Sequence, residues 1–308
     1  MHAPTREPLT RPVQFFTGKG GVGKSTVLGA LATAAARAGK RPLIVELGIH
    51  TSSSRLFHGP NAGYEPAEVA PGVCATRVQF EPALVDYITS RLKLRPIANL
   101  VVKNNSLRRL FMAAPGVDEI VTLHRVAQLA ADDRWDLILV DLESTGHALM
   151  FFDLPGVLEV FLKDGPLRQV LDSATALVRD EQRCAVHIVT VPEPLAVNET
   201  LQLYRRLRER KDLHLGCLFI NRIPRVWLDE AEQQLVKAEL DGASAAEPWV
   251  PDLALAEYLV QRRKTADKCL RGLHRDIDLP TMTFDAHDED SFATIELLSE
   301  AIEHAEVW

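Results

Sequence analysis

The chain has 308 residues, of which 46% are hydrophobic and 25% charged, an ordinary composition for a globular protein of one large domain or a domain with a subdomain. Its formal net charge of −7 disfavours bulk attraction to nucleic acid, so no nucleic-acid partner is expected. Residues 1–12 lack the apolar core of a secretory signal, and no apolar run approaches the ~18 residues of a membrane-spanning helix. We therefore expect a cytoplasmic protein without a membrane span. A partner protein that is itself associated with a membrane is compatible with this expectation.

The first predicted elements are a strand, a glycine-rich loop and a helix. The strand covers residues 14–17, and the Ala- and Leu-rich helix runs from Thr26 to its closing glycine, Gly39. Between them, residues 18–26 read Gly-Lys-Gly-Gly-Val-Gly-Lys-Ser-Thr and fit the pattern G-x-x-x-x-G-K-[ST]. Glycines let successive backbone N–H groups turn inward around phosphate oxygens. This context predicts a nucleotide-binding P-loop.

The loop residues receive separate predicted roles. Lys24 is expected to reach the β- and γ-phosphates, and the Ser25 hydroxyl to ligate Mg²⁺. Lys19 is redundant for one nucleotide, so we expect it to leave the loop on the far side and enter the site of a partner subunit. Lys19 and Lys24 are therefore the predicted catalytic lysines. The predicted ATP-binding residues of the loop are Gly18, Gly20, Gly21, Val22, Gly23, Lys24, Ser25 and Thr26.

Further strands alternate with helical patterns, which predicts an α/β fold with a mostly parallel, doubly wound sheet of about eight strands. The later predicted strands are 42–46, 137–141, 186–190, 215–221 and a short one near 282–284. Helical stripes in the connection of about ninety residues before the third strand predict a helical insertion at 81–131, and a second follows at 155–179. We interpret residues 1–308 as one P-loop ATPase domain with a helical subdomain; the alternative is that both stretches simply cover the sheet.

A carboxylate ends the predicted strand 137–141. Residues 137–141 are four apolar residues followed by Asp141. In P-loop proteins a carboxylate at this position holds Mg²⁺, usually through water. Ser25 and Asp141 are therefore the predicted metal ligands. The loop that follows, with His147, is expected beside the γ-phosphate, where we favour a hydrogen-bonding role for His147 over acid–base chemistry.

The loop 18–25 resembles the deviant Walker A loop shared by ArsA-type arsenite-transport ATPases, tail-anchored-protein-targeting ATPases and the partitioning ATPases of plasmids and division sites. Three further stretches resemble the superfamily formed by the first two: 141–147 with the following Leu-Pro, 189–195 with the following Glu-Thr, and 220–222. The resemblance implies ATP and Mg²⁺ as cofactors. It also implies a nucleotide-dependent dimer in which Lys19 contacts the partner's nucleotide, and an adenine hydrogen bond from Asn221.

The chain departs from this family where the family's first switch carries a water-positioning aspartate. That position falls on Gly48, and the nearest carboxylate is Glu46, two residues earlier on the same strand face. In the second switch, residues 142–144 read Leu-Glu-Ser instead of Thr-Ala-Pro, which adds Glu143. We therefore expect slow hydrolysis supported by Glu46 or Glu143. The alternative for Glu46 is a carboxylate that binds Mg²⁺-bound water or a backbone group.

The function predicted from these features is a Mg·ATP-binding, dimerising ATPase that couples nucleotide state to a helical surface for a protein client. The dimer is a homodimer or a heterodimer with a paralogous ATPase. One alternative, favoured by Gly48, is a weakly hydrolysing or non-hydrolysing regulatory subunit. A DNA-partitioning ATPase is disfavoured by the Thr-Gly-His run at 145–147, by Asn221 and by the acidic charge. The four cysteines stand far apart in sequence, so we expect neither a zinc nor an arsenite site.

Overall fold

The computed structural model describes residues 10–47, 52–92, 117–142, 149, 151–153, 166–225, 228–244, 247–287 and 291–305. Within these ranges the strands are β1 Val13–Thr17, β2 Pro42–Leu47, β3 Ala67–Ala70, β4 Val73–Val78, β5 Leu137–Asp141, β6 Cys184–Thr190, β7 Leu215–Ile223 and β8 Thr281–Asp285. The helices are α1 Lys24–Arg37, α2 Ser53–Leu56, α3 Phe80–Leu92, α4 Val117–Ala130, α5 Pro166–Arg179, α6 Pro194–Glu209, α7 Glu230–Gly242, α8 Val250–Asp276 and α9 Ser291–His304.

The strands form one sheet in the order β3-β4-β2-β5-β1-β6-β7-β8. Every neighbouring pair is parallel except β3 and β4. Each residue of β1 and β6 is buried, because central parallel strands are covered by helices on both faces. The predicted mostly parallel α/β sheet is confirmed, and the structure adds the hairpin β3–β4, which turns at Gly72 with φ of 73°.

The helices pack on both faces of the sheet. One hydrophobic cluster joins the strands to α3, α4, α5 and α6. The other joins them to α1 and α9. The described parts of the two predicted insertions thus share the core of the sheet, as the sheet-covering alternative requires. The separate helical subdomain stays a prediction, because residues 93–116 and 154–165 lie outside the described ranges.

The topology brings the predicted functional residues to one edge of the sheet. Central strand β1 lies between β5 and β6, so the chain leaves β1 at the point where the strand order reverses direction. In such sheets, ligands bind at the carboxyl ends of the strands beside this switch point. The glycine loop, Asp141 and Asn221 all lie at these ends. No helix in the described part of the chain has the length and apolarity needed to cross a bilayer.

Candidate nucleotide-binding site

The glycine loop between β1 and α1 has a backbone that side chains would not fit. Gly18, Gly21 and Gly23 have φ values of 151°, 86° and 88°. A Cβ on Gly18 would lie 2.1 Å from the Val189 carbonyl oxygen in β6, and one on Gly23 would lie 2.3 Å from Asn221 Nδ2 in β7. The loop therefore lies directly against the ends of two strands, in the strand–loop–helix context that the sequence predicts.

Lys24 is the first residue of α1 and curls back over the loop. Its side chain is buried, and Nζ lies 3.1 Å from the Gly18 carbonyl oxygen and 3.4 Å from that of Lys19. The preceding N-cap, Gly23, supplies no side-chain cap, and the first turn of α1 contains no acidic residue. The positive end of the helix dipole and the ammonium group therefore act together at one point, which favours an anion.

Ser25 and Asp141 meet although 116 positions separate them. Ser25 Oγ donates to Asp141 Oδ2 at 2.6 Å. The pairing of β5 with β1, in which Asp141 is opposite Phe16, carries the carboxylate to the start of the loop. A hydroxyl and a carboxylate are the oxygen ligands that Mg²⁺ prefers. The next residue, Thr26, lies half-buried in the first turn of α1.

Glu46 lies beside Asp141, because β2 and β5 are paired in register there. Only 3% of its surface is exposed. Its Oε1 accepts hydrogen bonds from the backbone N–H groups of Ser52 at 2.7 Å and Ser53 at 2.6 Å. Burial raises the pKa of this carboxyl, the hydrogen-bonding groups of Ser53 and Ser52 oppose the rise, and nearby Asp141 adds a smaller rise. One oxygen thus binds backbone groups, as the alternative interpretation of Glu46 holds, whereas Oε2 has no hydrogen-bond partner among the described residues.

Three other predicted residues fall outside the described ranges. Gly48 belongs to residues 48–51, and Glu143 and His147 belong to residues 143–148. The replacement of the water-positioning aspartate by Gly48, the support of hydrolysis by Glu143 and the place of His147 beside the γ-phosphate all stay predictions.

Lys19 points towards α6. Its Nζ lies 3.2 Å from Glu199 Oε1, and the two side chains are 28% and 37% exposed. The side chain therefore extends from the loop to a carboxylate of the same chain, and its expected contact with a partner subunit stays a prediction. Glu199 belongs to the Glu-Thr pair that resembles the superfamily, but the sequence did not predict its contact with Lys19.

Asn221 and Arg222 hold the loop from the end of β7. Asn221 Nδ2 donates to the Val22 carbonyl oxygen at 3.1 Å, and Arg222 NH1 donates to that of Gly21 at 3.0 Å. Asn221 is buried, so the residue predicted to bind adenine is directed towards the loop here. Arg222 was not among the predicted site residues; the signal for it was its place next to Asn221.

A cavity of about 550 Å³ adjoins this strand end. Its size falls within the range of small-molecule sites. It is lined by Pro192, Glu193, Pro194, Leu195, Arg222, Pro224, Tyr258, Gln261, Arg262 and Thr265. The apolar side chains and prolines offer faces for a planar ring, and Gln261 offers an amide. The contribution of α8 to this cavity was not predicted, because nothing in its local sequence shows where the long helix crosses the sheet edge.

Two of the four cysteines lie in the core beneath the site. Cys184 in β6 and Cys217 in β7 are buried free thiols. Burial raises the pKa of each to about 12. A thiolate is the form that binds metals, so these two positions disfavour soft-metal chemistry.

Comparison with known proteins gives consistent relatives. Residues 11–171 match the family described as anion-transporting ATPases. The chain is 28% identical over 227 residues to the ATPase BagA of Mycobacterium tuberculosis, covering 68% of this chain and 64% of that protein. It is 23% identical to the ATPase ASNA1 homolog 1 of Paramecium tetraurelia, covering 65% and 72%. It is 27% identical to a putative arsenical pump-driving ATPase of Halobacterium salinarum, covering 67% and 35%. The chain thus spans less than two thirds of the length of the mycobacterial relative.

Proposed function

The chain belongs to the anion-transporting ATPase family, and from this premise we propose that it binds Mg·ATP at the glycine loop and hydrolyses it. The observation that carries the proposal is the contact of Ser25 Oγ with Asp141 Oδ2 at 2.6 Å, next to the buried ammonium group of Lys24. A hydroxyl, a carboxylate and a lysine converge there on an uncapped helix N-terminus. That combination suits a phosphate chain with its counter-ion.

Binding uses groups that the loop already presents. Lys24 Nζ would exchange the carbonyl oxygens of Gly18 and Lys19 for phosphate oxygens, and backbone N–H groups of the loop would donate to the same chain. Ser25 and Asp141 would hold Mg²⁺, which when bound neutralises charge on the β- and γ-phosphates. The adjoining cavity would take the base. Asn221 would bind adenine with the second N–H of Nδ2 and the second lone pair of Oδ1, which the contacts with the Val22 carbonyl and the Arg222 N–H leave free.

Glu46 is our candidate for orienting the attacking water. Its Oε2 is buried without a partner among the described residues, next to Asp141. A carboxylate oxygen in that position accepts a hydrogen bond from water and aligns it, which a P-loop ATPase otherwise obtains from a switch residue. Glu143 is the second candidate. Hydrolysis is expected to be slow, because the water-positioning aspartate of the family is replaced by Gly48.

We also propose a nucleotide-dependent dimer, either of two copies of this chain or with a paralogous ATPase. Lys19 would leave Glu199 and contact the nucleotide of the partner subunit. An exposed pair of this kind contributes about 0.2–1 kcal/mol, so the exchange is inexpensive. A helical surface would then respond to nucleotide state and engage a protein client. The exposed apolar side chains Leu235 on α7 and Leu255 on α8 support such a surface.

Titration calorimetry with Mg·ATP and a phosphate-release assay test the function. Lys24→Ala removes a charge-assisted contact to phosphate, so its affinity should fall on the order of 10- to 100-fold. Lys40→Ala is the matched control, since Lys40 follows the opposite end of α1. Equal affinity in Lys24→Ala and the parent would refute the site. Binding in the parent without turnover above Lys24→Ala would instead favour a regulatory subunit.

A further inference from the structure

The end of β7 holds two successive carbonyl groups of the glycine loop. Asn221 Nδ2 binds the Val22 oxygen at 3.1 Å, and Arg222 NH1 binds the Gly21 oxygen at 3.0 Å. We propose that this pair, the β7 brace, aims the phosphate-binding N–H groups of the loop, and that Arg222 is a positioning residue for phosphate affinity. The proposal rests on the proposed function and deepens it.

The geometry of the peptide bond explains how the β7 brace acts. In a trans peptide the C=O and the following N–H point in opposite directions. The described residues contain no cis peptide bond. Holding the Gly21 carbonyl therefore aims the N–H of Val22 away from β7, and holding the Val22 carbonyl does the same for Gly23. Successive N–H groups turned to one side form an anion-binding concavity. A loop ordered before the ligand arrives loses less entropy on binding.

Arg222 has an unusual backbone that serves these contacts. Its φ is 56°, in the left-handed region that a residue with a Cβ rarely adopts. The pairing of β7 with β8 shifts register between Ile220 and Ile223, so Arg222 lies within an irregular part of this strand end. In this conformation the Arg222 N–H donates to Asn221 Oδ1 at 3.0 Å. The Asn221 amide is thus held at its oxygen while its nitrogen binds the loop. Residues that the surrounding structure holds in such sparsely populated conformations cluster at functional sites.

Arg222 also connects the two halves of the site. It lines the 550 Å³ cavity that we assign to the base, while its guanidinium binds the loop that we assign to the phosphates. Gly23 allows the close approach, since a Cβ there would meet Asn221 Nδ2 at 2.3 Å. Sequence motifs that stop at the loop do not include this residue.

The test separates the side chain from its backbone strain. Glycine adopts the left-handed conformation freely, so Arg222→Gly is compatible with the turn while it removes the whole side chain, including the guanidinium. Inorganic tripolyphosphate probes the phosphate site without the base cavity. By calorimetry, Arg222→Gly should bind tripolyphosphate and Mg·ATP about three- to tenfold more weakly than the parent, as expected for one lost hydrogen bond. Its melting temperature should equal or exceed that of the parent.

Arg225→Gly is the matched control, because Arg225 carries the same charge near the same strand end but pairs with Asp285. If Arg222 acted only through its charge, the loss of affinity in Arg222→Gly would disappear in 1 M salt, where the Debye length is about 3 Å. If Arg222 positions the loop, the loss of affinity in Arg222→Gly persists in 1 M salt. If Arg222→Gly fails to fold, Arg222→Asn carries the test, since asparagine tolerates the left-handed region and is too short to reach Gly21.

Two results overturn the β7 brace. One is an unchanged tripolyphosphate affinity in Arg222→Gly; the other is a deficit that matches Arg225→Gly or disappears in 1 M salt. Failure of the proposed function looks different. In that case the parent itself binds neither tripolyphosphate nor Mg·ATP better than Lys24→Ala does.

Discussion

We predict that the buried side chain of His187 makes the folded protein less stable in acid. It lies within β6 with no exposed surface, and its ring stacks on Phe16 with the centroids 4.8 Å apart. Its Nδ1 accepts a hydrogen bond from the Cys217 backbone N–H at 2.9 Å. A Cβ on Gly216 would lie 2.4 Å from the ring, so no room for water is left on that side. Burial, together with smaller contributions from the nearby charges of His214 and Arg11, lowers the pKa of His187 to about 3.

The size of the effect follows from this shift. An unfolded histidine has a pKa of about 6.5, so between about pH 6.5 and pH 3 the unfolded chain binds one more proton than the folded chain. The contribution of His187 is therefore complete above pH 6.5 and is lost as the pH falls, by about 1.36 kcal/mol per pH unit. The free energy of unfolding should fall by about 2 kcal/mol between pH 8 and pH 5 from this group alone. That is a large share of a typical stability of about 5–15 kcal/mol.

Urea unfolding of the parent and His187→Gln at pH 5, 6, 7 and 8 measures the effect. The variant cannot titrate, and its side-chain oxygen can still accept from the Cys217 N–H. Repacking around the new side chain should change the free energy of unfolding by the same amount at every pH. Between pH 8 and pH 5, however, the free energy of unfolding should fall by about 2 kcal/mol less in the variant than in the parent. His304→Gln is the control, because His304 lies exposed at the end of α9 and is not among the groups that shift the pKa of His187. Parallel stability curves for the parent and His187→Gln would refute the reasoning.

Three further predictions concern the site. Lys19→Ala should keep ATP binding by the monomer but lose ATP-promoted dimerisation, as measured by light scattering. Glu199→Gln frees Lys19 and should strengthen dimerisation by up to about fivefold for each ion pair released. An unchanged dimer in both variants would contradict a role of Lys19 between subunits. Glu46→Gln should retain ATP affinity and lose turnover by about ten- to ten-thousand-fold in a phosphate-release assay; parent-like turnover would leave water positioning to Glu143 or the backbone. Gly23→Ala introduces left-handed backbone strain of about 1–2 kcal/mol and displaces the Asn221 amide. Calorimetry should therefore show at least about tenfold weaker ATP binding. An affinity equal to that of the parent would show that the loop relaxes around a Cβ.

Local sequence determined the strands and the loop of this protein. The predicted strands 14–17, 137–141 and 186–190 each lie within an observed strand. All three are short segments rich in aromatic or β-branched residues, which is the pattern of strands buried on both faces of a parallel sheet. The loop was predictable for a similar reason, since its glycines need backbone conformations that other residues avoid. The hairpin β3–β4 was missed because its strands are short and its first strand is half exposed, so it lacks such a run.

Only the tertiary structure decided which side chains meet. The contact between Ser25 and Asp141 depends on the β1–β5 register, and the cavity depends on where α8 passes the end of β7. Lys19 and Glu199 pair because α6 follows β6 beside the loop. The hydrogen bonds from Asn221 and Arg222 to the loop need a residue with positive φ at the end of β7. The sequence has arginine there and not glycine, so it gives no sign of this conformation. These contacts join residues far apart in the chain, and local propensity carries no information about sheet order or register, which are set by packing of the whole core.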